Sequence, residues 1–111
     1  MAVASYNKLI IGGRLGRDPE FRALEDGGRM ARLSIATTEQ STNDSGSRQE
    51  KTDWHVAVLF KQSAVEFAAR NFKKGDLVMV EGQLENRTFE QSGANRQVTE
   101  IVVRDGRGEF I

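Results

Sequence analysis

The sequence predicts an all-β domain, a five-stranded, partly open Greek-key barrel with one short helix between the third and fourth main strands. Two observations carry that expectation. Most of the chain alternates apolar and polar residues at period two between turns rich in Gly, Asn, Asp and Ser, and only one stretch spaces its apolar residues at i, i+3, i+4, i+7. With 111 residues the chain makes a single domain, 1–111, large enough to bury roughly two thirds of its unfolded surface. The barrel is expected over about 6–104, with a short extension at 105–111.

Taken in order, Tyr6 to Ile11 reads as a strand, and Gly12-Gly13 marks a bend or a close backbone approach, so the first strand is curved. Gly16-Arg17-Asp18-Pro19 is a turn, because proline fixes φ and pushes its neighbour toward extended geometry. Phe21 to Leu24 follows as a short strand, and Asp26-Gly27-Gly28 turns the chain back. From Arg29 to Thr38, Ala31, Leu33, Ile35 and Thr37 share one face while Met30, Arg32, Ser34 and Ala36 share the other, as in a half-buried strand. Glu39 to Lys51 holds no aliphatic or aromatic side chain and reads as a mobile loop, long enough to serve as a binding arm.

Thr52 to Phe60 is the strand with the most to display. It carries the chain's one tryptophan, and Trp54, Val56, Val58 and Phe60 fall on one face. Two rings on one sheet surface could stack nucleic-acid bases, and they could equally fill a core. Ser63 is placed to cap a helix through Phe72 with Val65, Ala68, Ala69 and Phe72 on its apolar stripe. Lys73-Lys74-Gly75-Asp76 ends it with cations suited to a helix C-terminus and a glycine stop, a capping role that competes with a phosphate contact. Leu77 to Thr88 and Arg96 to Arg104 are strands joined by the polar Glu90 to Asn95 connection. This order is that of the OB-fold, whose strand face and long loops bind oligomers.

Composition narrows the chemistry. Hydrophobic residues at 38%, charged residues at 29% and a mean hydropathy of -0.52 describe a water-soluble domain with no apolar run near the ~18 residues of a membrane span. No signal-type segment precedes the first strand, and zero cysteines exclude disulfides and thiolate metal sites, so a cytoplasmic location is expected. One histidine and no cysteine leave no Cys/His pair or zinc cluster, and no glycine-rich stretch has phosphate-cradling or dinucleotide spacing. No catalytic residue, metal or cofactor is therefore expected. Net charge is zero, against the basicity usual in polyanion binders, yet Lys8 to Arg32 holds six basic residues against four acids, so a local groove can be positive.

Segments in order along the chain resemble the bacterial-type single-stranded DNA-binding proteins. They are Asn7-Lys8, Gly12 to Glu20, Thr37-Thr38-Glu39, Thr52-Asp53-Trp54-His55, Val58-Leu59-Phe60, Lys73 to Asp76, Val80 to Leu84 and Thr99 to Val103. Each is weak alone; the set covers nearly the whole chain. The resemblance implies an OB-fold subunit of a homotetramer, a dimer of dimers, that winds single-stranded DNA over its surface in replication, recombination and repair. It implies that Trp54 and Phe60 stack bases, with Phe89 standing where the family usually has tryptophan. Lys8, Arg22, Lys73, Arg87 and Arg96 match basic positions of the family, Lys74 accompanies them, and His55 matches a histidine near the subunit contact.

The departures are specific. Ser41 stands where a further tryptophan is common, Val56 replaces the basic residue that often follows Trp-His, and Glu85 stands where a cation is frequent. The family usually continues into a Gly, Pro and Gln-rich linker with an acidic tip that recruits other proteins, whereas this sequence ends at Gly106-Arg107-Gly108-Glu109-Phe110-Ile111, which makes tail-mediated recruitment doubtful. Competing readings are a primosomal replication-restart DNA-binding dimer of related fold and an OB module for RNA or protein.

Overall fold

Why the chain closes on itself is visible in its strand pairing. The computed structural model describes residues 5–104 and contains strands β1 (Leu9–Leu15), β2 (Glu20–Ala23), β3 (Arg29–Thr42), β4 (Arg48–Leu59), β5 (Leu77–Gln91) and β6 (Ala94–Val103), with helix α1 (Gln62–Asn71) between β4 and β5. The sheet order is β1-β5-β6-β4-β3-β2, and an additional β1–β3 pairing, Arg14 with Ala36 and Leu15 with Ile35, closes the barrel. The five barrel strands are β1, β3, β4, β5 and β6, and β2 continues the curved first strand along the other stretch of β3, from Glu20 opposite Arg32 to Ala23 opposite Arg29. β4 meets β6 in parallel and every other pair is antiparallel.

The alternation in β3 sets the inside of the barrel. Ala31, Leu33 and Ile35 are fully buried and lie opposite Leu59, Ala57 and His55 of β4. Val78 and Val80 of β5, Ile101 and Val103 of β6, Leu15 of β1, and Val65 and Ala68 of α1 join that core. Burying a side chain the size of Leu33 or Ile35 contributes about 1.5–3 kcal/mol, so these few residues supply much of the driving force. Gly13 is where the first strand must pass close to a neighbour: a Cβ there would collide with the Ala36 carbonyl.

Several expectations are corrected. The segment Glu39 to Lys51 is not a loop but a hairpin arm: β3 runs to Thr42 and β4 starts at Arg48, with Thr42 opposite Arg48. Its polar side chains satisfy one another, Thr38 with Thr52 at 3.0 Å and Gln40 donating to Glu50 at 3.3 Å, so a ladder forms without apolar burial. Asn43 Oδ1 accepts from Ser45 N, Ser45 Oγ and Ser47 N, which closes the tip. The first strand starts at Leu9 rather than Tyr6, which is 93% exposed and makes no core contact that would hold it.

The helix also differs in detail. Lys61 rather than Ser63 is the N-cap, and no side chain caps it. Its buried residues are Val65 and Ala68, while Ala69 is exposed. The helix ends at Asn71 and Phe72 is already extended, so the Phe72 ring reaches the core from outside the helical stripe. Gly75, at φ 93°, belongs to the turn leading into β5 instead of the helix cap; its N–H donates to Leu15 O at 2.8 Å. The last hairpin is tighter than the sequence implies, because Ser92 and Gly93, at φ 54° and 79°, form a two-residue turn whose twist matches the strands.

Candidate nucleic-acid interface

Residues facing away from the core form one continuous outer surface across five strands. Register places Arg22 and Glu20 of β2, Met30, Arg32, Ser34 and Ala36 of β3, and Trp54, Val56 and Val58 of β4 on it. Val102, Glu100, Val98 and Arg96 of β6 continue it, opposite Gln83, Glu85, Arg87 and Phe89 of β5. Phe60 follows β4 on the same parity. A groove of about 260 Å³ runs through the middle, lined by Arg22, Arg32, Arg87 and Arg104 against Glu20, Glu85 and Glu100, with Phe60, Met30, Val58 and Val102 as its apolar floor. Its cations therefore outnumber its acids although the chain as a whole is neutral.

Trp54 lies at one end of this surface. The residue is 62% exposed, and its ring rests against the backbone of Gly16, where any Cβ would collide with the indole. The hollow around it is lined by Arg17, Ser34, His55 and Val56. The Lys73 to Asp76 turn bonds to the same corner: Lys74 N donates to Asp18 Oδ1 at 2.8 Å, and Leu15 N donates to Asp76 O at 2.9 Å. Lys73 and Lys74 are exposed there, beside the turn that supports Trp54.

Phe60 and Phe89 are half-buried and differently furnished. Arg104 sits over the Phe60 ring, Cζ 4.8 Å from its centroid, and bonds Glu85 through Nε and Nη2, each at 3.0 Å. Arg87 sits over Phe89 at 5.4 Å and bonds Glu100 through Nε and Nη2 at 3.2 and 3.1 Å. These hydrogen bonds, more than any other influence, raise both guanidinium pKa values above their ordinary value, so both arginines stay charged at any ordinary pH. Gln62 holds the Phe60 segment in place: its Nε2 donates to Phe60 O at 2.9 Å and to Arg29 O at 2.7 Å, while its Oε1 accepts from Arg29 N at 3.0 Å.

The surface thus brings together Trp54, Phe60, Phe89, Arg22, Arg87 and Arg96, with Arg96 opposite Phe89. Lys8 stands apart, around the barrel on the β1–β5 side, where its Nζ is 3.5 Å from Glu81 Oε1. His55 is half-buried on the opposite parity from Trp54, with Nε2 2.8 Å from Thr37 Oγ1. Arg32, Arg104 and Gly16 were absent from the sequence-derived set. The alternation of β3 already put Arg32 on the outward face, whereas nothing local in the sequence signals that Arg104 reaches Phe60 from the end of β6.

A closed small barrel with one helix and an aromatic, arginine-bearing outer face defines an OB-fold oligonucleotide-binding module. The chain belongs to the single-strand binding protein family, whose family model matches residues 6–107. Among solved structures it is similar to the Plasmodium falciparum SSB in its complex with ssDNA, at 32% identity and a TM-score of 0.87, over 98% of this chain and 96% of that one. Among the described residues no helix is long and apolar enough to cross a membrane.

Proposed function

We propose that this protein binds single-stranded DNA without sequence preference, in the service of replication, recombination and repair, and does so without catalysis. The observation that carries the reading is the common outer face of Trp54, Phe60 and Phe89 with arginines between them. Bases stack on the rings, and Arg22, Arg32, Arg96, Lys73 and Lys74 meet phosphates along the way. Every base has a π-face, and stacking on rings with phosphate contacts from cations is indifferent to base identity, so sequence discrimination is low. A duplex keeps its bases stacked on one another and offers the rings nothing. Family membership and the likeness to a protein described in complex with ssDNA support the same conclusion.

Titration with labelled oligo-dT of increasing length, alongside a matched duplex and a matched RNA, tests this. Tight binding to oligo-dT, quenching of Trp54 fluorescence and weak duplex binding are expected. Preference for the duplex, or for RNA over DNA, would overturn the assignment.

A homotetramer completes the proposal. β1 bonds β5 along Leu9 to Arg14 but meets β3 only at Arg14 and Leu15, which leaves strand edge available to a second copy. Ile10, Leu77 and Met79 are exposed on that side, at 59%, 69% and 76%, an apolar surface suited to further subunit contact. Light scattering at micromolar concentration should give four chains, and a monomer would remove the assembly. His55, on the opposite parity from Trp54, is assigned to subunit contact from the family resemblance, and Lys8, beside Glu81 on the β1–β5 side, to an outer stretch of a DNA path that passes from one subunit to the next.

A further inference from the structure

The centre of the groove contains a charge arrangement that phosphate contact leaves unexplained. Glu85 and Glu100 lie directly opposite each other across β5 and β6, a like-charge pair that costs stability when left uncompensated. They also sit in a groove meant for a polyanion. Each is answered by one arginine, and both pairs are bidentate, so each guanidinium uses in-plane N–H groups on protein instead of phosphate. Each guanidinium also lies over a phenyl ring, Arg104 on Phe60 and Arg87 on Phe89. A cation held along one edge by a carboxylate, with its centre over a ring, has an outward side left to meet a ligand. The Arg104 side chain is 45% exposed, in keeping with such a face.

We propose that Arg104 is itself a base-stacking residue: Glu85 pins its guanidinium flat over Phe60, and a DNA base stacks on the outward face of that cation, so ring and guanidinium act as one two-layer platform. This rests on the single-strand-binding reading above. Guanidinium planes stack on π-systems as well as on phenyl rings, which is why arginine and lysine are not interchangeable at such a site. The glutamate then has a purpose in a DNA-binding groove. It gives up one attraction to phosphate, and in return a long, flexible side chain is held in the orientation that stacking needs. Arg87, Glu100 and Phe89 repeat the arrangement on the neighbouring part of β5 and β6.

The test is anisotropy titration of a labelled dT oligomer across a range of salt, using the full chain and three variants. Arg104→Lys keeps the charge and loses the plane; about fivefold weaker binding is expected, with the slope of log K against log salt unchanged. Two further variants remove the ion pair without altering net charge: Glu85→Gln with Arg104→Met, and Glu85→Gln with Arg104→Tyr. The methionine variant should lose about as much as Arg104→Lys, and the tyrosine variant, which restores a flat surface, should bind within about threefold of the parent. Thermal midpoints of the two double variants, compared side by side, separate folding from binding. Wild-type affinity for Arg104→Lys, or equal affinity of the methionine and tyrosine variants, would overturn the stacking role. Failure of the parent chain to bind the oligomer would instead remove the single-strand-binding reading on which it rests.

Discussion

The Trp54 corner and the Phe60–Phe89 groove present aromatic rings by opposite means. Trp54 is held from behind by the bare backbone of Gly16 and is exposed over most of its surface. Phe60 and Phe89 are half-buried, and each carries an arginine that a glutamate fixes in place. The first arrangement offers a large ring directly, at the edge of a turn that also carries Arg17, Lys73 and Lys74. The second offers smaller rings within a layered polar network. The difference teaches that net charge is a poor guide to this surface: Glu85 and Glu100 of the groove are engaged with arginines that lie on rings, while Arg22 and Arg32 line the groove beside them and Lys73 and Lys74 stand exposed at the Trp54 corner.

If the corner is the stronger platform, Trp54→Ala should have the largest effect, more than tenfold in affinity for oligo-dT, which corresponds to about 1.4 kcal/mol or more. Anisotropy of a labelled oligomer measures this, and a loss smaller than that of either phenylalanine variant would reverse the ranking. Phe60→Leu and Phe89→Leu come next, each expected to cost about three- to tenfold, because a branched aliphatic keeps the groove floor while losing the π-face. Equal losses at all three positions would erase the contrast. Gly16→Ala sharpens it from the other side. The added methyl must displace the indole while leaving the ring present, so binding should fall by about two- to fivefold, less than for Trp54→Ala. A shift in the Trp54 emission maximum would report the displacement in the free protein. The smallest effect is expected from Lys8→Ala, about twofold, since that residue stands away from both platforms beside Glu81.

Much of this was legible in the chain. The period-two alternation of Arg29 to Thr38 and of Thr52 to Phe60 set which side chains could share a face, and the structure keeps both sets. The helix was legible from Val65 and Ala68, but its start was not, because no side chain caps it and the cap reading of Ser63 had nothing to correct it. The arm formed by the far ends of β3 and β4 was misread as a loop for a physical reason. Its ladder is made by cross-strand polar pairs, Thr38 with Thr52 and Gln40 with Glu50, and a one-dimensional pattern that looks for apolar residues passes over it.

Local chemistry determined the strands, their two faces, the aromatic display at Trp54 and Phe60, and the sites where glycine and proline bend the chain. Those follow from backbone sterics and from the burial of alternate side chains, both of which act over a few residues. Barrel closure decided the rest. Pairing β1 with both β5 and β3 places Gly16 behind Trp54, and the parallel pairing of β4 with β6 sets Arg104 over Phe60 and within reach of Glu85. Such contacts join residues tens of positions apart. Their energies depend on a register that exists only once the sheet has closed, which is why they are decided by the tertiary structure.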